Sequence, residues 1–450
     1  MSQEKLQKWH LGFVLLILIS VVIRLWVMSA SLQLREHTDV TRYKDWARIA
    51  YLYGFADSYL PTHLTFGNMP NNQPPGTLYV LDGAYTAQLR AANIYMKFTH
   101  QKPGTNLFIN GPLVNIFLRI PSLLADIVIG LLLYVLIGRL KGNRTWQLIG
   151  SGLFLLNPVV IYNSAFWGQM DSVNNVFFIL ALLLLTYKKY FVTVLVFFLG
   201  LFIKFSLVIF LPFLLLFIYQ QGISWRRLLW YPLIAWIMLC SFSLPVTSNA
   251  FVWLTSFLQT ASGEMQNVTV YAFNFWWMLF HPHMYSSVSA VQNLYQFSSV
   301  NLTGVPLVTA PLLGTTLLTW SLVPVCLLLG LLFERMWHAK PTLTQSMFIS
   351  AVVALMVFLF LPRMHERYMY PMFAPLALYI GIKKQFLLEF IILSVANMLN
   401  LYMVWHPFAL SWFPLGLINS QVFQWVIATV SVMVGLWLYM RVLQMLRSTS

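Results

Sequence analysis

Three polar stretches interrupt an otherwise apolar chain, and their residue types are those of acid–base and phosphate chemistry. Asn157 to Ser172 reads NPVVIYNSAFWGQMDS and ends with Gln169 and Asp171. Leu361 to Pro371 reads LPRMHERYMYP and gathers Arg363, His365, Glu366 and Arg367. Arg35 to Gly76 carries REHTDVTRYKDWAR and later NNQPPG, supplying Asp39, Asp45 and Gln73. Lys204 stands alone between two short apolar runs. Carboxylates combined with a His and fixed cations suit attack on a sugar carried by a phosphate. A carboxylate takes the proton of the attacking hydroxyl. Arg, Lys or His stabilises the charge that develops on the departing phosphate. A single base acting in direct displacement inverts the anomeric centre.

The elements that must hold these residues are membrane helices. The 450 residues are 59% hydrophobic and 9% charged, with a mean hydropathy of +0.73. Repeated apolar runs of span length place the chain among all-α polytopic membrane proteins and argue against a soluble protein. The pattern predicts about twelve spans, because helices leave no backbone polar group facing lipid. These lie near Leu11–Met28, Leu113–Ile137, Gln147–Ala165, Val173–Tyr187, Tyr190–Ile203, Phe205–Tyr219, Leu228–Pro245, Leu312–Phe333, Met347–Leu361, Tyr368–Ile382, Phe386–Trp405 and Val422–Met440. The whole chain, residues 1–450, reads as a single integral membrane domain. Residues 29–112 form a large first external loop and residues 246–311 a second. Within the first, Thr41–Gly54 and Gly76–Leu89 have helical apolar spacing but are too short and polar to span, so both are expected in the membrane interface. Phe251–Leu258 has the same interfacial character. The first apolar run follows Lys5 and Lys8 without a small-residue cleavage signal and reads as an uncleaved span.

The charges test this threading. Arg139, Lys141, Arg144, Lys188, Lys189, Arg226, Arg227, Arg335, Lys340, Lys383, Lys384, Arg441 and Arg447 all fall on the side of Lys5 and Lys8, which the positive-inside rule makes cytoplasmic. Both termini are then expected to be cytoplasmic, and the plasma membrane is the expected location. The net charge of +15 follows from these loops and from contact with anionic lipid; nucleic acid is not an expected partner. Lys204, Arg363 and Arg367 resist that bias in short outward loops. They share the outer side with Asp39, Asp45, Gln73, Asp171 and Glu366, so the three clusters are expected to meet in one extracytoplasmic site. A lipid-linked sugar phosphate is the donor such a location favours, because nucleotide sugars are cytoplasmic.

At these residues the chain resembles the membrane glycosyltransferases of the GT-C superfamily. More closely, it is similar to the prokaryotic relatives of the mannosyltransferase that adds the second mannose of GPI anchors. The resemblance is carried by TDVTRYKDWARIAYLYG (Thr38–Gly54), NNQPPGTLYVL (Asn71–Leu81), RIPSLLAD (Arg119–Asp126), NPVVIYNSAFWGQMDS, Lys204, YAFNFWW (Tyr271–Trp277) and PRMHERYMYP. It implies a GT-C architecture, a polyprenyl-phosphate donor of mannose or glucose, and an external site. It also implies a catalytic base just past the first span, which is Asp39 by position in the motif. The acceptor would be a glycolipid, glycan or protein. Lys204, His365 and Arg367 would hold phosphate; Asp171, Gln169 and Glu366 would position sugars or those cations; Arg363, Asp45 and Gln73 are further substrate-binding candidates. No P-loop, GxGxxG or DxD motif is present. No cofactor is implied and a divalent metal is not expected. A flippase for lipid-linked saccharides, or a polymerase or ligase using a diphosphate-linked oligosaccharide, would account for the same spans and cations.

Each residue also has a plainer reading. Asp39 and Asp171 are suited to helix N-caps, with Ser172 and Asn174 as further caps at the second position. Lys204 can snorkel. Asp45 can pair with Arg42 or Arg48. The His365–Arg367 group can be interfacial charge, with Tyr368 and Tyr370 as aromatic belt. Arg119 and Asp126, seven residues apart on one face, read as a structural ion pair. Asn274 and Trp276 are candidate sugar contacts. His281 and His283 form no defensible metal set. Cys240 and Cys326 lie in apolar runs and read as small apolar residues. The Asn143, Asn267 and Asn301 triplets are too common by chance to be read as modification sites.

Overall fold

The protein is described from a computed structural model covering residues 3–32, 38–65, 69–100, 112–246, 266–280, 305–405 and 415–448. It is an all-α polytopic membrane protein. Among the described residues six helices are long and apolar enough to cross a membrane: Leu11–Ser31, Leu113–Arg139, Leu317–Ala339, Leu343–Phe360, Leu387–Val404 and Gln421–Arg447. Arg144–Leu155 and Pro158–Trp167 make a seventh if they form one broken span. The remaining predicted spans are the shorter helices Asp171–Thr186, Tyr190–Ile203, Leu211–Gln220 and Phe373–Lys383, and the 19-residue Trp225–Ser243, which carries Arg226 and Arg227 in its first turn and Pro232 inside. The interfacial helix expected at Phe251–Leu258, and much of both expected loops, lie outside the described residues.

The chain divides into two compact units. Unit 1 takes Met1–Leu132, Ile161–Val208 and Leu229–Ser262; unit 2 takes Leu133–Val160, Ile209–Leu228 and Gly263–Ser450.

In unit 1, helix α1 (Gln3–Leu32) leads to α2 (Thr38–Tyr53) and α3 (Pro75–Thr99). The expected amphipathic pair is therefore present, with α3 running ten residues beyond its predicted end at Leu89. That extension mixes apolar and polar residues with only Ala92 buried, and the helix ends at His100, which closes it in the left-handed region. Tyr43, Trp46, Ala47 and Ala50 of α2 interleave with Leu78, Leu81, Ala84 and Tyr85 of α3 over Val114, Leu118 and Met170. Burial of the Leu, Val and Met side chains in this cluster contributes about 1.5–3 kcal/mol each. The NNQPPG turn explains its own glycine. A Cβ at Gly76 would come within 2.5 Å of the Phe202 carbonyl oxygen, so only glycine lets α3 approach helix Tyr190–Ile203 this closely. Thr77 locks the approach by donating its hydroxyl to the Ile203 carbonyl.

Unit 2 is organised around Leu343–Phe360, whose residues Met347 to Phe360 are buried except Ser350. Its start is set by a capping box, in which Thr342 and Gln345 each satisfy the other's backbone N–H. Four lysines, Lys141, Lys188, Lys340 and Lys384, adopt positive φ just past helix ends, where glycine is usual. Their charge at a helix C-terminus is favourable to the helix dipole.

Candidate active site

The segment that carries Trp167, Gln169 and Asp171 into unit 1 follows a break in the helix after Leu155. Asn157 accepts the Val159 N–H with its side chain and starts a single turn, Pro158–Ile161. The turn widens into a π-helix, Tyr162–Trp167, which stops at Gly168 with φ +84°. A Cβ there would press on Val40 and Arg119. This local geometry swings Trp167, Gln169 and Asp171 away from a continuous helix. The loop is then tied down from beneath. Arg119 donates to the Phe166 carbonyl at 3.1 Å and Ser122 to the Gln169 carbonyl at 2.6 Å.

Asp39 is the meeting point. It lies in the first turn of α2, not at its N-cap, and is partly buried. Its Oδ2 accepts from the Trp167 indole N–H at 3.0 Å and from Gln169 Nε2 at 2.5 Å. Tyr43 donates to Gln169 Oε1 at 3.2 Å, which fixes the amide with its donor towards Asp39. Asp171 is likewise not a cap, since Met170 occupies that position. Its Oδ1 accepts from Lys204 Nζ at 2.5 Å and its Oδ2 from Asn163 Nδ2 at 3.3 Å. Lys204 ends helix Tyr190–Ile203 in extended backbone, and its side chain is 12% exposed. Its ammonium is thus engaged with a carboxylate inside the protein.

Beneath this loop the expected Arg119–Asp126 pair is replaced by another. Asp126 Oδ2 accepts from Arg24 Nε at 3.0 Å and from Ser164 Oγ at 2.5 Å, and its Oδ1 from Ser172 Oγ at 2.5 Å. Arg24 also donates to Ser20. Asp45 braces the α2–α3 connection: it pairs with Arg48 at 2.9 Å and accepts from the Thr65 N–H at 2.8 Å and hydroxyl at 2.7 Å. Gln73 belongs to the same connection, donating its N–H to Asn71 Oδ1 and accepting from Tyr59 with its carbonyl.

The unit 2 site hangs from the end of Leu343–Phe360. Met364–His365 pairs in parallel with Thr269–Val270, and the Arg363 N–H donates to the Val268 carbonyl at 2.8 Å. Helix Leu387–Val404 holds both strands. Asn397 donates to the Glu366 carbonyl at 2.7 Å; Asn400 donates to the Tyr271 carbonyl at 2.6 Å and accepts the Phe273 N–H at 2.9 Å. Glu366 is 2% exposed. Its Oε1 accepts from Arg367 Nη1 at 2.8 Å, and His365 Nδ1 stands 3.8 Å from Oε2. Burial alone would raise the Glu366 carboxyl, but Arg367 and His365 together hold it below the usual carboxylate range. Arg367 also covers the Tyr368 ring, 5.4 Å from its centroid.

Because its folded value lies below its unfolded one, Glu366 contributes stability that is complete above about pH 4.3 and is lost as pH falls through the folded value. The thermal midpoint of the wild type should therefore fall more steeply below pH 4 than that of Glu366→Gln. Parallel profiles would mean that the ion pair adds nothing.

Asn274 and Trp276 are accounted for as caps. Asn274 Nδ2 donates to the Phe358 carbonyl at 3.2 Å and Trp276 Nε1 to the Phe360 carbonyl at 2.9 Å, which satisfies carbonyls that the helix end leaves open. Asn143 is the N-cap of Arg144–Leu155. His281, His283 and Asn301 lie outside the described residues. Among the described residues no three His, Cys, Asp or Glu side chains gather as a metal site.

Sequence reasoning did not single out Trp167, Tyr43, Arg24, Tyr271, Asn397 or Asn400. The first, second and fourth lie inside quoted motifs. The asparagines carried a signal of their own, two amides three residues apart in an apolar helix. Neither the family models nor the curated proteins compared with this chain include a match to it.

Proposed function

We propose that the protein is an inverting membrane glycosyltransferase of GT-C architecture. It moves mannose or glucose from a polyprenyl-phosphate carrier to a glycolipid, glycan or protein at the outer face of the plasma membrane. In this reading the chain crosses the membrane about twelve times with both termini cytoplasmic. Asp39 takes the proton of the acceptor hydroxyl. The new bond forms from that oxygen to the anomeric carbon as the bond from that carbon to the phosphate oxygen breaks, and the lipid phosphate leaves with the electron pair. Lys204 is the phosphate-binding cation of unit 1, and Arg363, His365 and Arg367 are the cations that unit 2 supplies. Gln169 and Asp171 position the base and Lys204.

The observation that carries this reading is the Asp39 carboxylate itself. It binds Trp167 and Gln169 across 128 and 130 residues of sequence, joining two of the three polar clusters at one acid. A second observation is an apolar cleft of about 370 Å³ lined by Gly76, Tyr79, Leu199, Phe202, Ile203 and Phe242, which offers room for isoprenoid next to the helix end that carries Lys204.

The test is a transfer assay. Purified protein receives radiolabelled polyprenyl-phosphate mannose or polyprenyl-phosphate glucose, with a membrane lipid extract as acceptor. Label is expected in a new product from one of the two donors. Absence of transfer with both donors, alongside movement of the carrier between leaflets of reconstituted vesicles, would replace the enzyme by a flippase.

A further inference from the structure

Tyr271 combines three unusual properties. It is 4% exposed, yet its hydroxyl has no hydrogen-bond partner among the described residues. Its backbone has φ +57°, a conformation that costs an aromatic residue about 1 kcal/mol or more. It faces the charge of Glu366, which adds to burial in keeping the phenol protonated. Arg363, beside the paired strand, is held at φ +61°. Asn400 enforces this arrangement by gripping the Tyr271 carbonyl and the Phe273 N–H. One turn earlier, Asn397 is 1% exposed; its Nδ2 is committed to the Glu366 carbonyl, while its Oδ1 has no partner among the described residues.

Two buried polar atoms left open among the described residues, one on Tyr271 in strained backbone facing the Glu366 charge and one on the helix side chain that grips the Glu366 carbonyl, are costly unless something binds them. Their chemistry restricts what that is. The Asn397 oxygen can only accept, so its partner must donate. Glu366 is an anion, so a second anion against it is disfavoured. A phosphate diester has no proton to give and carries charge. A sugar hydroxyl both gives and accepts and is neutral.

We propose that the Tyr271 hydroxyl and the Asn397 amide oxygen bind hydroxyl groups of the transferred sugar, making this part of unit 2 a sugar subsite distinct in role from its cations. The proposal rests on the glycosyltransferase reading and adds to it the residues that distinguish a glycosylated carrier from a bare one.

Tyr271→Phe tests it, because the variant keeps the ring and removes only the open hydroxyl. Equilibrium binding is measured with radiolabelled polyprenyl-phosphate mannose, polyprenyl-phosphate glucose and the same polyprenyl phosphate without sugar, and thermal midpoints are recorded for the unliganded proteins. The variant should bind the preferred glycosylated carrier about tenfold more weakly, the equivalent of one hydrogen bond. Its affinity for the bare phosphate should be unchanged, and its midpoint equal to or above that of wild type. A lower midpoint with unchanged affinities would make the hydroxyl part of the core and overturn the proposal. Equal loss for glycosylated and bare carrier would assign Tyr271 to the phosphate and overturn the sugar subsite. Unchanged binding of all three lipids would overturn it as well, with the glycosyltransferase reading left standing. Wild-type protein that binds none of the three overturns that reading and this ligand class together.

Discussion

Asp39→Asn should reduce sugar transfer by about 10²- to 10⁴-fold, the range expected for loss of a general base. The loss should lie in turnover, with little change in the affinity for the lipid donor, because an amide of the same shape still fills the position. The structure makes the substitution interpretable. Asp39 is held by Trp167 Nε1 and Gln169 Nε2 at its Oδ2. An asparagine oxygen can accept from the same two donors, so the stability cost should be about 1 kcal/mol. Asp45→Asn is the control: it loosens the pairing with Arg48 and Thr65 and should lower the thermal midpoint with turnover per folded molecule preserved. Transfer by Asp39→Asn at the wild-type rate would remove Asp39 from the chemistry. Gln169→Ala would then be the informative variant, since it separates holding the carboxylate from being it.

A second large effect is expected at Asp126. This carboxylate, 0% exposed, ties α1 to both ends of the Ser164–Ser172 loop through Arg24, Ser164 and Ser172. Asp126→Leu would strand a guanidinium that is 1% exposed. Removing one member of a buried pair costs about 3–5 kcal/mol, most of it the uncompensated charge. The thermal midpoint in detergent should therefore drop sharply. The double variant Arg24→Met with Asp126→Leu removes both charges and should recover a large part of the loss, because the pair's attraction only offsets its own desolvation. Additive losses in the double variant would show that the serine bonds, not the ion pair, carry the stability. The loop is also where Trp167, Gln169 and Asp171 originate, so turnover should follow the midpoint only if loop position is what the pair protects.

These two residues mark the line between what is legible in the chain and what is not. Asp39, Gln169 and Asp171 stood out because polar clusters are rare in a sequence of this composition, and the structure puts Asp39 and Gln169 in contact. Asp126 also stood out, but its partner could not be read. Arg119 and Asp126 are about 10.5 Å apart along a helix axis, two turns, which is far for a direct pair. Arg24 sits in another helix, 102 residues away. Asp45 read as a possible ligand of substrate, because nothing local says that Thr65 will fold back onto it. Asn274 and Trp276 read as sugar contacts, yet their polar atoms close the end of Leu343–Phe360.

By itself, the sequence determined that this is a helical membrane protein with its polar residues gathered in a few clusters. That outcome follows from hydropathy and helical period, both properties of a short window, since an apolar run of span length has few other places to go. Tertiary structure alone decided which polar atom answers which: Arg24 with Asp126, Lys204 with Asp171, Trp167 with Asp39, and the hydroxyl of Tyr271 without a partner among the described residues. Such pairings depend on which faces of distant helices pack together. The cost of burying an unpaired charge selects among those packings, and no local pattern records the choice.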